Sequence, residues 1–370
     1  LVIFTNQGGL LSKKGGSMDV EGFKSRWHII LNRLYKEHSI KPAALFASLY
    51  DDFNRKPCCG MWEFLEGLMH SRNTFGMKIE VGRDASLYVG DMAGRKGDHS
   101  ASDLLFALNL GVPFQVPEVF YGFESGKLVS NKTKTILENL FQDKTIFNAR
   151  KYLMEYDSGK HNLETINLIK KELKNTMNDD SSQKYLIIYV GSPASGKSSF
   201  LDNYFSGKDD KLLLDGIITM SQDTFIGTPA RFIKEIARKL DKGDKNIVID
   251  NTNATMKTRE KLVSLGHEKG FKVMVIYFDT PKEICMHLNA IRTKMNNVCM
   301  IRHPNSDECR DNVPAVAIHT FWKRLELPDK EKELMDKVYT IHFEAIFPDS
   351  DKYKTKKDGN IMTKEKFILF

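Results

Sequence analysis

Eight consecutive residues, Gly191, Ser192, Pro193, Ala194, Ser195, Gly196, Lys197 and Ser198, carry the most explicit chemistry in the chain. They fit G-x-x-x-x-G-K-[ST], a loop whose backbone N–H groups cradle phosphates. The two glycines let the backbone bend so that successive N–H groups point at phosphate oxygens, which the following helix N-terminus also attracts. Lys197 would bridge the outer phosphates. The Ser198 hydroxyl is placed to hold Mg²⁺, which takes oxygen ligands and keeps several waters. A glycine turn that happens to contain Lys and Ser is the bland alternative. Context argues against it, because Lys184–Val190 reads as a buried strand and Ser198–Phe205 as a helical turn. A site for ATP and Mg²⁺ is expected.

Two carboxylates downstream could complete phosphoryl transfer. Asp223, in Ser221-Gln222-Asp223-Thr224, is placed to accept the proton of an attacking hydroxyl. Asp250 ends the apolar run Lys245–Ile249, where a carboxylate beside a P-loop positions the metal or its water. Helix capping is the competing role for each. In the first third, Thr5, Lys56 and Asp91 sit at or just beyond the carboxyl ends of three predicted strands, Leu1–Phe4, Ala43–Ser48 and Ser86–Asp91. A hydroxyl, an ammonium and a carboxylate together could stabilise a phosphoryl group and hold Mg²⁺. Singly, each is also an ordinary turn or cap residue.

These groups need a scaffold of alternating strands and helices, hence a parallel α/β sheet with its ligands outside the strands' carboxyl ends. Val20, Phe23, Trp27, Ile30, Leu31 and Leu34 recur at helical spacing and predict one core-facing stripe. Ile233, Ile236, Ala237 and Leu240 do the same in a helix opening at Pro229. At 370 residues, 41% hydrophobic and 28% charged, the chain has a globular composition and can bury two cores. No apolar stretch reaches membrane-spanning length, and no secretory signal opens it, so no membrane partner and an intracellular, cytoplasmic-type setting are expected. Cys58, Cys59, Cys285, Cys299 and Cys309 lack zinc spacing and read as free thiols in a reducing compartment. The net charge of +7 suits an acidic partner without specifying one.

Several stretches, taken in order, resemble the bifunctional polynucleotide phosphatase/kinase family. F-T-N-Q-G-G at Phe4–Gly9, N-R-K-P-C-C-G-M-W at Asn54–Trp62, V-G-D-M-A-G-R at Val89–Arg95 and the run Asp98–Phe114 look like its haloacid dehalogenase-like phosphatase half. The P-loop, then S-Q-D-T, then V-I-D-N-T-N with Arg259 beyond, are similar to its kinase half. The resemblance implies that Thr5 and Lys56 contact phosphate and that Asp91 binds Mg²⁺. It further implies that Asp223 activates a 5′-hydroxyl, and that Arg292, in L-N-A-I-R, is a lid arginine reaching the phosphates. Asn253, Arg259 and Trp322 are candidate substrate contacts, Trp322 standing where the family has an arginine.

The family's Asp-x-Asp-Gly-Thr strand, whose first Asp is the nucleophile, does not occur here; Asp349-Ser350-Asp351 reads as a solvated turn. The chain opens on Leu1 within a predicted strand, so it is expected to be a fragment whose phosphatase is inactive. The expected architecture is α/β in two domains. A truncated haloacid dehalogenase-like, Rossmann-type domain spans 1–123, a helical and polar linker 124–183, a P-loop kinase with a parallel sheet 184–345, and a Lys-rich tail 346–370. Expected partners are DNA ends bearing a 5′-hydroxyl or a 3′-phosphate, with RNA ends left open. Strand-break repair proteins and a nuclear location follow from the resemblance alone. The rival readings are a small-metabolite P-loop kinase and a nucleic-acid-end-binding protein with a decayed phosphatase domain.

Overall fold

The computed structural model describes residues 1–10, 19–71, 82–95, 97–121, 149, 152, 162–176, 184–205, 215–243, 245–302 and 313–345. The chain divides into two compact units. The first comprises Leu1–Met154, Ile291–Asn312 and Phe347–Phe370, and the second Glu155–Ala290 and Val313–Ile346.

In the first unit, β1 (Val2–Asn6), α1 (Val20–His38), β2 (Ala44–Ser48), α2 (Gly60–Ser71), β3 (Tyr88–Val89), α3 (Ser102–Leu110), β4 (Phe114–Gln115) and α4 (Pro117–Phe120) follow one another. β1 pairs with β2 and β3 with β4, both parallel, so the described strands form two ribbons. Phe4, Trp62, Leu65, Phe106 and Leu110 close one core over them. Aromatic side chains dominate it, with Phe4 and Phe46 stacked at 5.4 Å. The predicted strand Ser86–Asp91 narrows to Tyr88–Val89: Gly90 N still donates to Gln115 O, but by Met92 the backbone bonds Asp103 of α3 instead. The stripe on α1 is a correction of a different kind. Val20, Phe23, Trp27, Leu31 and Leu34 are only half-buried and Ile30 is exposed, so this helix lays its apolar face on the unit without sealing it.

The second unit contains α5 (Leu163–Asn175), β5 (Tyr185–Val190), α6 (Phe200–Tyr204), β6 (Ile217–Met220), α7 (Pro229–Leu240), β7 (Asn246–Ile249), α8 (Met256–Glu268), β8 (Lys272–Asp279), α9 (Lys282–Arg302, its last turns grouped with the first unit), α10 (Ala315–Arg324) and β9 (Lys337–His342). Its five strands are all parallel, in the order β6-β7-β5-β8-β9. β5 is buried at every position, as expected of a central parallel strand covered on both faces. Leu186, Ile188, Ile236, Ile247, Leu262 and Val273 fill one face. Ile169, Leu173, Ile187, Tyr189, Phe200 and Ile276 fill the other.

Part of that second layer comes from α5, which lies inside the segment 124–183 read above as a linker. Ile166, Ile169 and Leu173, at helical spacing, are buried on the sheet, so the helix belongs to the core and does not act as a spacer. Leu137, Leu140 and Phe141 and the polar stretch Asn178–Ser182 of the linker segment, His303, Cys309 and Arg310, and the tail 346–370 with its Asp349-Ser350-Asp351 lie outside the described residues.

Candidate active sites

The second unit gathers its chemistry at the carboxyl ends of β5, β6 and β7. Leaving β5, the chain enters the glycine loop, where Ala194 (φ 61°) and Gly196 (φ 91°) occupy the left-handed region that lets amides converge. A side chain at Gly191 would place its Cβ 2.7 Å from Ser195 Oγ and 3.0 Å from Phe278 Cβ, so only glycine lets the loop lie this close to β8. From the other side the Thr280 hydroxyl donates to Ser195 O at 3.0 Å. Lys197 is buried, its Nζ donating to Gly191 O at 3.0 Å and Ser192 O at 2.6 Å, so the ammonium is curled into the loop. Among the described residues Ser195 Oγ is buried without a hydrogen-bond partner, while Ser192 Oγ, also buried, lies beside the Cys285 thiol. Orphaned hydroxyls in a closed loop cost stability unless a ligand engages them, and a triphosphate supplies the acceptors.

Ser198 Oγ donates to Asp250 Oδ2 at 2.6 Å. Two oxygens so placed suit a hard cation that draws its remaining ligands from phosphate and water. Among the described residues no cluster of three or more His, Cys, Asp or Glu could hold a metal by itself, in keeping with so sparse a protein ligand set. Asp223 stands on the turn after β6. That turn is tied to the end of β7, where Asn251 Oδ1 accepts from Gln222 N at 2.9 Å and Met220 O accepts from Asp250 N at 2.8 Å. Asp223 and Pro193 line a common cavity of about 520 Å³ with residues 251–255, Thr258 and the face of α10. A hydroxyl entering this cavity meets an exposed carboxylate beside the phosphate loop.

Three predicted contacts change role. Arg259 is wholly buried, not facing substrate: its Nε and Nη2 donate to Glu333 at 2.8 and 2.6 Å, and its Nη1 to Asn253 O and Ala254 O. It braces the loop that lines the cavity. Asn253 lies in the left-handed region (φ 42°) and its Nδ2 donates to Tyr189 O at 2.7 Å, fastening that loop to β5. Trp322 is half-buried against Phe321 and does not line the cavity. Ala317, Thr320, Phe321 and Arg324 do, at the i, i+3, i+4, i+7 spacing of one face, from which Trp322 is a position away. Arg292 lies half-buried in the part of α9 that clusters with the first unit, and the structure does not group it with the P-loop.

In the first unit the carboxyl ends of β1 and β3 meet over Lys56. Its Nζ donates to Phe4 O (3.1 Å), Tyr88 OH (3.0 Å) and Asp103 Oδ1 (2.5 Å), while Asn6 bonds the Lys56 backbone N and O. Thr5 Oγ1 accepts from Gln7 Nε2 at 2.8 Å, and Asp91 presents an exposed carboxylate two residues past β3. Burial, with the Asp103 carboxylate beside it, pushes the Tyr88 hydroxyl far above its usual pKa, so it stays a neutral donor.

Asp103 is the residue that sequence reading passed over. Its side chain is 4% exposed and holds both Lys56 and the Met92 N–H. A Cβ on Gly90 would lie 2.5 Å from that of Asp103, which explains the glycine before Asp91. The signal was present: Asp103, Phe106, Ala107 and Leu110 form the buried stripe of α3, and a carboxylate on such a stripe needs a cation.

Residues 1–121 match the model of the polynucleotide kinase 3 phosphatase family, and residues 186–302 match that of an AAA domain. The chain is 28% identical over 334 residues to a bifunctional polynucleotide phosphatase/kinase of Schizosaccharomyces pombe, covering 90% of this chain and 66% of that protein. It is 29% identical over 378 residues to a putative bifunctional polynucleotide phosphatase/kinase of Acanthamoeba polyphaga mimivirus, covering 96% and 78% respectively. A polynucleotide 3′-phosphatase of Saccharomyces cerevisiae is 30% identical over 155 residues, or 33% of this chain and 65% of that one. The chain thus spans about two thirds of the length of the first of these relatives.

Proposed function

We infer, from a chain that joins a polynucleotide 3-phosphatase-type domain to a nucleotide-binding P-loop domain and so belongs with the bifunctional polynucleotide phosphatase/kinases, that its second unit is an ATP-dependent polynucleotide 5′-hydroxyl kinase. The single observation that carries this is the shared cavity. Asp223 faces it, the P-loop's Pro193 forms part of its wall, and Ser198 with Asp250 stands at the end of the neighbouring strand.

Bound ATP-Mg²⁺ would supply the transferable phosphoryl group and the charge that offsets its oxygens. The chain's residues do the rest. The loop amides and Lys197 hold the phosphates, Lys197 exchanging its two carbonyl acceptors for phosphate oxygens. Ser198 and Asp250 would hold the metal, and Asp223 would take the proton from the accepting hydroxyl as the new O–P bond forms and the O–P bond to the β-phosphate breaks, with ADP as the leaving group. Arg292 is our proposed lid arginine. The first unit contributes Thr5 and Lys56 to a phosphate and Asp91 to Mg²⁺ in a 3′-phosphatase, with Lys56 aimed by Asp103. In a longer protein that also carried the Asp-x-Asp-Gly-Thr nucleophile, the two activities together would restore 5′-phosphate and 3′-hydroxyl ends for ligation at DNA strand breaks, in the nucleus and alongside other strand-break repair proteins.

The test is transfer of labelled γ-phosphate from ATP to a 5′-hydroxyl oligonucleotide, DNA and RNA in parallel, with 3′-phosphate release followed in the same samples. Lys197→Ala and Asp223→Ala should each lower transfer by at least roughly a hundredfold. This chain should release no 3′-phosphate, since its sequence contains no Asp-x-Asp-Gly-Thr nucleophile. Wild-type transfer to small alcohols but to no oligonucleotide would overturn the polynucleotide reading.

A further inference from the structure

The phosphate loop is held from behind by the end of β8, through a residue that the phosphoryl-transfer chemistry above does not use. Thr280 follows Asp279, the last residue of β8, and is 2% exposed. Its hydroxyl donates to Ser195 O at 3.0 Å, across 85 residues of chain. Thr280 itself has little room to move. β8 pairs with β5 from Lys272 to Tyr277, which fixes it against the strand from which the loop departs. Pro281 follows with its φ locked by the ring, and the Thr280 carbonyl accepts from Cys285 Sγ at 3.4 Å. Burial pushes that thiol up to about 11, so it stays protonated and remains a donor.

What the Thr280 bond fixes is a peptide plane. The Ser195–Gly196 peptide is planar and trans, so its C=O and N–H point in opposite directions. With the carbonyl turned onto Thr280, the Gly196 N–H is turned away from it. Among the described residues nothing accepts that N–H, whereas the Ser195 N–H is bonded within the loop to Ser192 O at 3.2 Å. Gly196 offers no resistance of its own to a flip. It sits at φ 91°, and glycine adopts positive and negative φ about equally, so the plane can rotate at little cost. A flip would set a carbonyl oxygen where a phosphate needs a donor. The buried, unpartnered Ser195 hydroxyl is carried by the same residue that Thr280 holds.

Resting on the reading of this loop as an ATP site, we propose that Thr280 is a positioning residue for the nucleotide's phosphates. Its hydroxyl holds the Ser195–Gly196 peptide with the N–H presented to phosphate, so that the cradle is formed before ATP arrives. Such preorganisation raises affinity by removing an ordering cost from the binding step. The ligand chemistry it serves is a polyphosphate, whatever base is attached.

The experiment measures binding directly, by calorimetric titration of wild type, Thr280→Val and Thr280→Ser with Mg²⁺-ADP and with Mg²⁺-tripolyphosphate. Val keeps the branched shape and removes the donor; Ser keeps the donor. Thr280→Val should weaken both ligands by a similar factor, roughly 3- to 20-fold, because one buried carbonyl loses its partner. Thr280→Ser should bind nearly as wild type does. In steady-state transfer the loss should appear in the KM for ATP, with the acceptor KM unchanged. Thr280→Ala takes the place of Thr280→Val if the latter does not fold.

A Thr280→Val protein that melts earlier yet binds both ligands as wild type does would make the hydroxyl merely structural and overturn the proposal. So would a loss for ADP that spares tripolyphosphate, or a loss that Thr280→Ser does not repair. Wild type with Thr280-dependent binding but no transfer to any oligonucleotide would uphold the positioning role and remove the kinase reading. Wild type that binds neither ligand would remove both.

Discussion

Replacing Glu333 by Ala should destabilise the second unit more than any single surface change. The Arg259 and Glu333 side chains are both 0% exposed, joined by two bonds of 2.8 and 2.6 Å. Arg259 Nη1 also reaches Asn253 O and Ala254 O at 3.0 and 3.1 Å, and Glu333 Oε1 accepts from Asp329 N at 3.1 Å. Truncating one partner leaves a buried guanidinium without its counter-charge, which costs about 3–5 kcal/mol. The second unit has about 170 residues, a size at which each kcal/mol moves the melting midpoint by about 2–4 °C, so the expected drop is roughly 6–20 °C. Calorimetry of the full chain reads it, the relevant transition being the one that added ATP moves upward. Arg259→Met with Glu333→Leu should recover most of the loss, because no buried charge remains. The acceptor KM of that double variant should still rise, since the Asn253 and Ala254 carbonyls that line the cavity lose their donor. A cost below about 1 kcal/mol for Glu333→Ala, the range of exposed pairs, or a double variant no better than the single one, would refute the reasoning.

Three further outcomes are expected. Asp103→Asn should cost about 3 kcal/mol in urea unfolding, the low end for a broken buried pair because Phe4 O and Tyr88 OH still accept from Lys56. Asp336 titrates below its usual 3.8: burial alone would raise it, but the Val273 N–H at 2.7 Å and His267 at 3.0 Å outweigh that. A depressed carboxyl adds stability above its unfolded pKa and loses it as pH falls through the folded one. Asp336→Asn should therefore flatten the fall in urea midpoint below about pH 4. Burial pushes the Cys285 thiol up to about 11 and the Cys58 thiol up to about 12. Mass spectrometry after iodoacetamide at pH 8 should find both unmodified in the native protein and modified once it is unfolded.

Much of this protein was legible in its residues. The glycine loop could be placed because its pattern is local. Backbone amides, a lysine and a serine within eight residues need no distant partner to declare their chemistry. The strands at Tyr185–Val190 and Asn246–Ile249 were legible for a similar reason, since burial on both faces of a parallel sheet leaves short, continuous apolar runs, and the half-buried strands at Val2–Asn6 and Ala44–Ser48 still show as short apolar runs closed by polar turns. Asp223 and Asp250 could be named from their positions just past predicted strands, which is where a parallel sheet gathers its functional groups.

What tertiary structure alone decided is which polar residue faces substrate and which faces the core. Arg259 stands in the first turn of α8 and Arg324 is the last residue of α10, so both are arginines at helix ends. Glu333, 74 residues beyond Arg259, buries the first, while the second lines the cavity, unpaired among the described residues. Asp103 and Lys56 are 47 residues apart and meet only because Gly90 lets α3 approach the strand. The helix Leu163–Asn175 reads as polar connection until the sheet offers its apolar stripe a surface. In each case the deciding term is desolvation by a remote partner. Composition and spacing along the chain carry local propensity, but which charges leave water together is settled only when the chain closes on itself.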